Sequence, residues 1–226
     1  MSMYRIKKIE DYVRSLNLPL GHDFEHAKRV KNVAMIIMAE HDYCEPMLVE
    51  ASSLMHDIGM HESSMMLSLG LSNDGKREHA ALGAEMARNF LSQENLLKKE
   101  EIDLVCQAIA FHNKPYQEGL LLLDIIRDAD ILDLLGVIGI SRALTTKANL
   151  PLYDPKNVKG ETWGFSARDF DRLFLNGAGI GPTIVDQLNF QISCCDNLRS
   201  EFARNRAVPL VKTIKEFILN LEKEVI

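Results

Sequence analysis

The apolar residues of this chain recur three and four positions apart almost throughout its 226 residues, and no stretch alternates cleanly between apolar and polar. A period near 3.6 buries one stripe of a helix, whereas a half-buried strand needs a period of two, so the sequence predicts an all-α fold. With 46% hydrophobic and 26% charged residues, the chain has enough apolar surface for a packed core and is neither disordered nor fibrous. The 26 Lys and Arg against 32 Asp and Glu leave a formal charge of −6. That balance, with no basic stripe and no base-reading helix pair, argues against a nucleic acid polymer as partner, while small phosphorylated ligands stay open. No apolar run reaches the ~20 residues of a membrane span. The charged start MSMYRIKKIEDYV lacks a signal-peptide stretch, so the expectation is a cytoplasmic protein with no membrane contact. Cys44, Cys106, Cys194 and Cys195 include no Cys-x-x-Cys pair and read as reduced thiols.

Capping residues and glycines divide the pattern into elements. Asp23 caps a helix running to about His41, with His26, Val30, Val33 and Ile37 on one face. Pro46 suits the first turn of the next helix, whose stripe is Met47, Leu48, Ala51, Leu54, Met55 and Ile58 and whose end is marked by Gly59. After the polar stretch of Gly70, Asn73, Asp74 and Gly75, a helix from about Glu78 places His79 beside Leu82, Met86 and Phe90. Another, from about Glu100, aligns Ile102, Val105, Cys106 and Ile109 with His112. Residues 120–140, LLLLDIIRDADILDLLGVIGI, are apolar almost all round and read as one central helix. Residues 151–182 hold five of the 13 glycines, three of the seven prolines and the only tryptophan, Trp163, and read as a long loop or lid. Val185, Leu188, Ile192, Leu198 and Phe202 predict one long helix, and Leu210, Ile214, Phe217, Ile218 and Leu221 a final one after Pro209. With no repeat or linker, the expected organisation is a single domain over 1–226. Its catalytic helices lie at about 22–145, the loop or lid at about 151–182 and the C-terminal helices at about 183–224.

All seven histidines lie between residues 22 and 112, and helix periodicity turns His26, His56, His79 and His112 inward. A single buried imidazole is most simply a hydrogen-bonded core residue. Four of them, together with carboxylates at Asp57, Asp128, Asp130 and Asp133 in apolar surroundings, need a common explanation, because an uncompensated buried carboxylate is costly. A divalent cation supplies one, and adjacent His56 and Asp57 offer it a nitrogen and an oxygen ligand. His41 and His61 read as surface or capping residues. His22 and Asp23 either cap the first helix or orient His26 or a water. Tyr153, Asp154, Trp163 and Phe165 either close over a ligand or pack locally.

The pieces GHDFEHAKRV, LMHDIG, RDADILDLLGVIGISRA and LYDP, in this order and at these separations, resemble the HD-domain superfamily of metal-dependent phosphohydrolases, specifically its stand-alone bacterial branch. The resemblance covers most of the chain from about Gly21, and it implies a helical HD-domain bundle. Carried over, the family pattern implies that His26, His56, Asp57 and Asp130 ligate one divalent metal ion, either Mn, Fe, Co, Zn or Mg. Asp128 is the rival for the last place; Asp130 is preferred because it follows Ala129 and precedes Ile131 and Leu132, as in the family. Some branches place two further histidines between the doublet and the final Asp, which fits His79 and His112 as ligands of a second metal or as phosphate contacts. Met60 stands where the HD-GYP branch carries a Lys, and no GYP tripeptide follows. Relatives place a basic residue after the matching Asp, where this chain has Ile131.

The implied chemistry is hydrolysis of a phosphate ester or anhydride, with Asp57, Asp130 and Asp128 as catalytic residues and Asp130 or Asp128 accepting a proton. The expected substrate is a small phosphorylated molecule, a nucleotide in the most concrete reading, cleaved by a nucleotidase or triphosphate pyrophosphohydrolase reaction. Arg29, Arg77, Lys114, Arg127 and Arg142 are candidates to bind its phosphates, although surface cations need no such role. The alternatives are a two-metal phosphodiesterase or dinucleotide hydrolase using His79 and His112, and a non-catalytic nucleotide-sensing module. A homodimer contact through Met65 and Met66 or the final helices is open alongside ordinary core packing.

Overall fold

The computed structural model describes residues 2–41, 45–61, 79–114 and 120–225. Among them are ten α-helices and one 3-10 turn, with no strand beyond an isolated bridge between Asp154 and Asn157, as the helical periodicity predicts. The chain divides into two compact units, Met1–Ala129 and Asp130–Ile226.

The first unit contains α1 (Ser2–Ser15), α2 (Phe24–Glu40), α3 (Pro46–Met55), α4 (His79–Gln93), α5 (Lys99–Phe111) and most of α6 (Leu121–Asp133). The sequence reading did not include α1, although Ile6, Ile9 and Val13 have the spacing of a buried stripe and are buried. Each such side chain contributes roughly 1.5–3 kcal/mol on leaving water, enough to hold a short polar helix in place. The central helix is α3, whose Leu48, Val49, Ala51, Ser52, Ser53, Leu54 and Met55 are buried on every side and which packs on α1, α2 and α5. Pro46 opens it, where a missing N–H costs nothing.

Gly59 does more than mark the end of that stripe. A Cβ there would lie 1.9 Å from the His79 carbonyl oxygen and 2.5 Å from the Gly83 nitrogen. Only glycine lets the turn carrying His56 and Asp57 press directly on α4.

The second unit runs from Asp130, at the end of α6, through α7 (Gly136–Thr146), α8 (Ala167–Leu175), α9 (Ile184–Ser193), a 3-10 turn (Cys194–Asn197) and α10 (Glu201–Glu224). Several sequence boundaries are corrected here. Residues 120–140 form two helices, because Leu135 is extended and Gly136, at φ 65°, takes the left-handed turn needed to redirect the chain against Leu210. The glycine-rich segment 151–182 contains α8, whose Phe170 packs edge-on to Phe165 and Phe190. The helix expected over 185–202 breaks at Leu198, and Ser200 caps a new one by accepting the Ala203 N–H. Pro209 lies inside α10 because buried Ile214 and Ile218 continue the same stripe past it.

The fully buried Asp186 fastens this unit. Its Oδ1 accepts from the Thr162 N–H at 3.1 Å and hydroxyl at 2.9 Å, and its Oδ2 from the Thr183 N–H at 3.1 Å and hydroxyl at 2.7 Å. Residues expected as a loop are therefore tied to the first turn of α9.

Candidate metal centre

Four helix ends in the first unit bring imidazoles together. His26 is in the first turn of α2, where the Asp23 carboxylate accepts its backbone N–H at 2.9 Å and so fixes the turn that carries the ring. His56 and His112 occupy equivalent positions just past the ends of α3 and α5. In each, Nδ1 lies 2.8 Å from the carbonyl three residues back, that of Ser53 for His56 and of Ile109 for His112. A carbonyl can only accept, so Nδ1 carries a proton in each, and Nε2 is the nitrogen turned towards the site. Carbonyl support of this kind is the usual arrangement behind a metal-ligating imidazole. His79 stands at the start of α4.

These rings converge on Asp57. Its Oδ2 lies 2.6 Å from His22 Nδ1, 3.2 Å from His56 Nε2 and 3.4 Å from His26 Nε2. Its Oδ1 lies 3.4 Å from His112 Nε2 and 3.6 Å from His79 Nε2. The His26 and His56 Nε2 atoms approach to 3.2 Å, and neighbouring rings in the order 22, 26, 56, 112, 79 meet edge to face. His26 and His56 are wholly buried and Asp57 is 5% exposed. Burial alone raises a carboxyl, but His56, His112, His22 and His26 together hold Asp57 well below the ordinary carboxylate range. Burial lowers the His79 imidazole, with the Asp57 charge opposing it.

The donor set fits a divalent cation. Two groups within the first unit, His22 with His26 and Asp57, and Asp57 with His79 and His112, each bring three ligand atoms within 4.8 Å of one another. Imidazole nitrogen with carboxylate oxygen suits Mn, Fe, Co and Zn. The sequence reading gave His22 a capping or orienting role, and its direct contact with the Asp57 carboxylate was missed; the signal was its place in GHDFEH, four residues before His26.

The other expected site residues are placed as follows. Asp128 is fully buried on α6, and Asp130, two residues further on that helix, is half-buried. Asp133 pairs with the nearly buried Arg142 at 2.9 Å. Arg29 on α2 and Lys114 beyond α5 are half-buried. Arg127 donates to the backbone carbonyls of Phe111, His112 and Lys114. Exposed His41 ends α2, and His61 Nδ1 accepts the Asn17 N–H. Cys44, Met65, Met66 and Arg77 lie outside the described residues. Cys106, Cys194 and Cys195 are free thiols. No helix among the described residues is long and apolar enough to cross a membrane.

An all-helical unit with histidines from four helix ends around the aspartate of a His-Asp doublet defines a class of fold whose cluster could hold a divalent metal. The HD domain matches residues 23–135, half of the chain, and the chain belongs to that family of metal-dependent phosphohydrolases, as its motif order implied. Solved structures share the fold at low identity. A predicted HD-superfamily hydrolase from an uncultured Thermotogales bacterium is 20% identical with a TM-score of 0.59, covering 98% of this chain and 92% of that one. YpgQ of Bacillus subtilis, solved in complex with ADP, is 20% identical with a TM-score of 0.63, over 99% and 96%. An HD-superfamily hydrolase from Bacillus thuringiensis is 20% identical with a TM-score of 0.63, over 99% and 98%. Among curated proteins none matches the sequence.

Proposed function

We propose that the chain is a metal-dependent phosphohydrolase acting on a nucleotide, with His26, His56, Asp57 and Asp130 holding the cation. The observation that carries the reading is the Asp57 carboxylate, nearly all buried and met, among the described side chains, by the imidazole nitrogens of five histidines. Family membership and the ADP held by the B. subtilis YpgQ neighbour support a phosphorylated, nucleotide-like substrate. A bound divalent ion supplies Lewis-acid polarisation of a phosphate oxygen and acidifies a water. The chain's part is to keep the His56 and His112 rings in one tautomer through the Ser53 and Ile109 carbonyls, and to keep Asp57 ionised. Asp130, or Asp128 beside it, accepts the proton lost as water oxygen attacks phosphorus and the bond to the leaving oxygen breaks. Arg29 and Lys114, both in the first unit, supply cationic groups for substrate phosphates, whereas the expected Arg142 is nearly buried and committed to Asp133.

A two-metal reading has its own support. The two Asp57 oxygens face different imidazole sets, His22, His26 and His56 on one side and His79 and His112 on the other, so each set would hold one of two cations, which would together polarise a phosphate oxygen and activate a water.

Metal analysis of protein purified without chelator, run beside His56→Ala and His112→Ala and followed by phosphate and pyrophosphate release from a nucleotide panel, decides. One ion per chain, lost in His56→Ala and kept in His112→Ala, with hydrolysis of a nucleotide, is the expected result. Two ions, one of them lost in His112→Ala, establish the bridged site. No ion under any divalent supplement, or no nucleotide hydrolysed by metal-loaded protein, overturns the proposal.

A further inference from the structure

Helix α5 ends without a glycine: His112 is followed by Asn113 and Lys114. The last carbonyls of a helix have no partner within it and carry the negative end of the helix dipole, so such an end needs a donor from elsewhere. Arg127 on α6 provides it. Its Nε donates to the His112 carbonyl at 3.2 Å, and its Nη2 donates to the Phe111 carbonyl at 2.7 Å and to the Lys114 carbonyl. Three of the five N–H groups of one rigid plane are thus spent on the turn from which the His112 ring projects. On that ring Nδ1 is held by Ile109 and Nε2 stands 3.4 Å from Asp57 Oδ1.

We propose that Arg127 is a positioning residue, whose guanidinium sets the direction of His112 Nε2 by clamping the carbonyls at the end of α5. A guanidinium aimed at substrate keeps its fork for phosphate oxygens, whereas this one spends it on three backbone carbonyls, one of which, that of Phe111, also accepts the Lys114 N–H at 3.1 Å. The role rests on the proposed phosphohydrolase reading only in its kinetic consequence; the effect on the His112 ring does not depend on it.

The test uses the full chain with Arg127→Ala and Arg127→Lys. Ring nitrogen signals of His112 are followed by NMR on histidine-labelled, chelator-treated protein, and steady-state kinetics on whichever nucleotide the wild type hydrolyses. Displaced His112 signals, a kcat reduced about tenfold, as for loss of support behind a ligand, and a KM held within twofold are expected in Arg127→Ala. Arg127→Lys falls between, because an ammonium reproduces the charge but not the planar fork. A raised KM with kcat preserved and His112 signals unmoved overturns the proposal and places Arg127 on the substrate. If the wild type hydrolyses no nucleotide, the functional reading falls and the His112 signals alone decide the clamp. If the alanine variant does not fold, the lysine variant decides in the same way, unmoved signals overturning the proposal.

Discussion

Two buried carboxylates, one in each unit, are stabilised by different means. Asp186 in the second unit is met by two backbone N–H groups and two threonine hydroxyls, all neutral donors fixed by local structure. Asp57 in the first unit is met by imidazole nitrogens from His22, His26, His56, His79 and His112. Neutral fixed donors suit a carboxylate whose task is to hold chain segments together, and they leave nothing for a ligand to replace. Imidazole nitrogens from several helix ends gathered on one carboxylate suit a cation and offer little to a loop. The difference separates a structural staple from a binding centre without reference to motifs.

Exchanging these roles by mutation tests the distinction. The largest effect is expected for Asp57→Asn, which should abolish cation binding and lower hydrolysis by more than about a hundredfold. Its melting temperature with chelator present should fall less than that of Asp186→Ala. Metal analysis, turnover and thermal melts on the same samples check this, and an Asp57 variant that unfolds more readily than the Asp186 variant breaks the comparison. Asp186→Ala strands four buried donors at a cost of about 3 kcal/mol. For a chain of this size that is a fall of roughly 6–12 °C in Tm, with turnover per folded molecule preserved. Gly59→Ala forces a methyl against the His79 carbonyl and should cost about 1–3 kcal/mol, displacing His79 relative to Asp57. Calorimetry and the His79 ring signals report the two parts separately. The smallest effect concerns Cys195, whose thiol burial pushes up to about 11. Its thiolate fraction, and with it the rate of alkylation, should stay low at neutral pH and climb about tenfold per pH unit towards that value.

Helix-forming stretches were legible because a core-facing stripe leaves a period in the sequence, and the inward histidines at 26, 56, 79 and 112 were legible for the same reason. The site did not follow completely. His22 lies in a loop, where no period says which way a side chain points, and its contact with Asp57 spans 35 residues. The Arg127 contacts join α6 to α5, so only the packing of two helices reveals that a cation near His112 faces carbonyls. Helix α1 sets six charged residues among its 14, so the short stripe of Ile6, Ile9 and Val13 leaves only a weak period. The break at Gly136 was hidden by apolar residues on both sides, which satisfy a continuous helix and a turn equally well. Gly59 was read as a stop, since how closely two backbones approach has no signature in a single sequence.

The histidines around Asp57 stand at or beside the ends of α2, α3, α4 and α5, and that placement has a thermodynamic consequence. A cation shared by those ends acts as a removable cross-link over a span from residue 26 to residue 112, in a chain whose described cysteines form no disulfide. Because the unfolded chain cannot present the ligands together, occupancy adds to folding stability by mass action, about 2.7 kcal/mol when free ion stands at a hundred times its dissociation constant. The melting curve is then a gauge of metal affinity that needs no substrate, and titrating one divalent ion after another against it ranks them by the shift each produces.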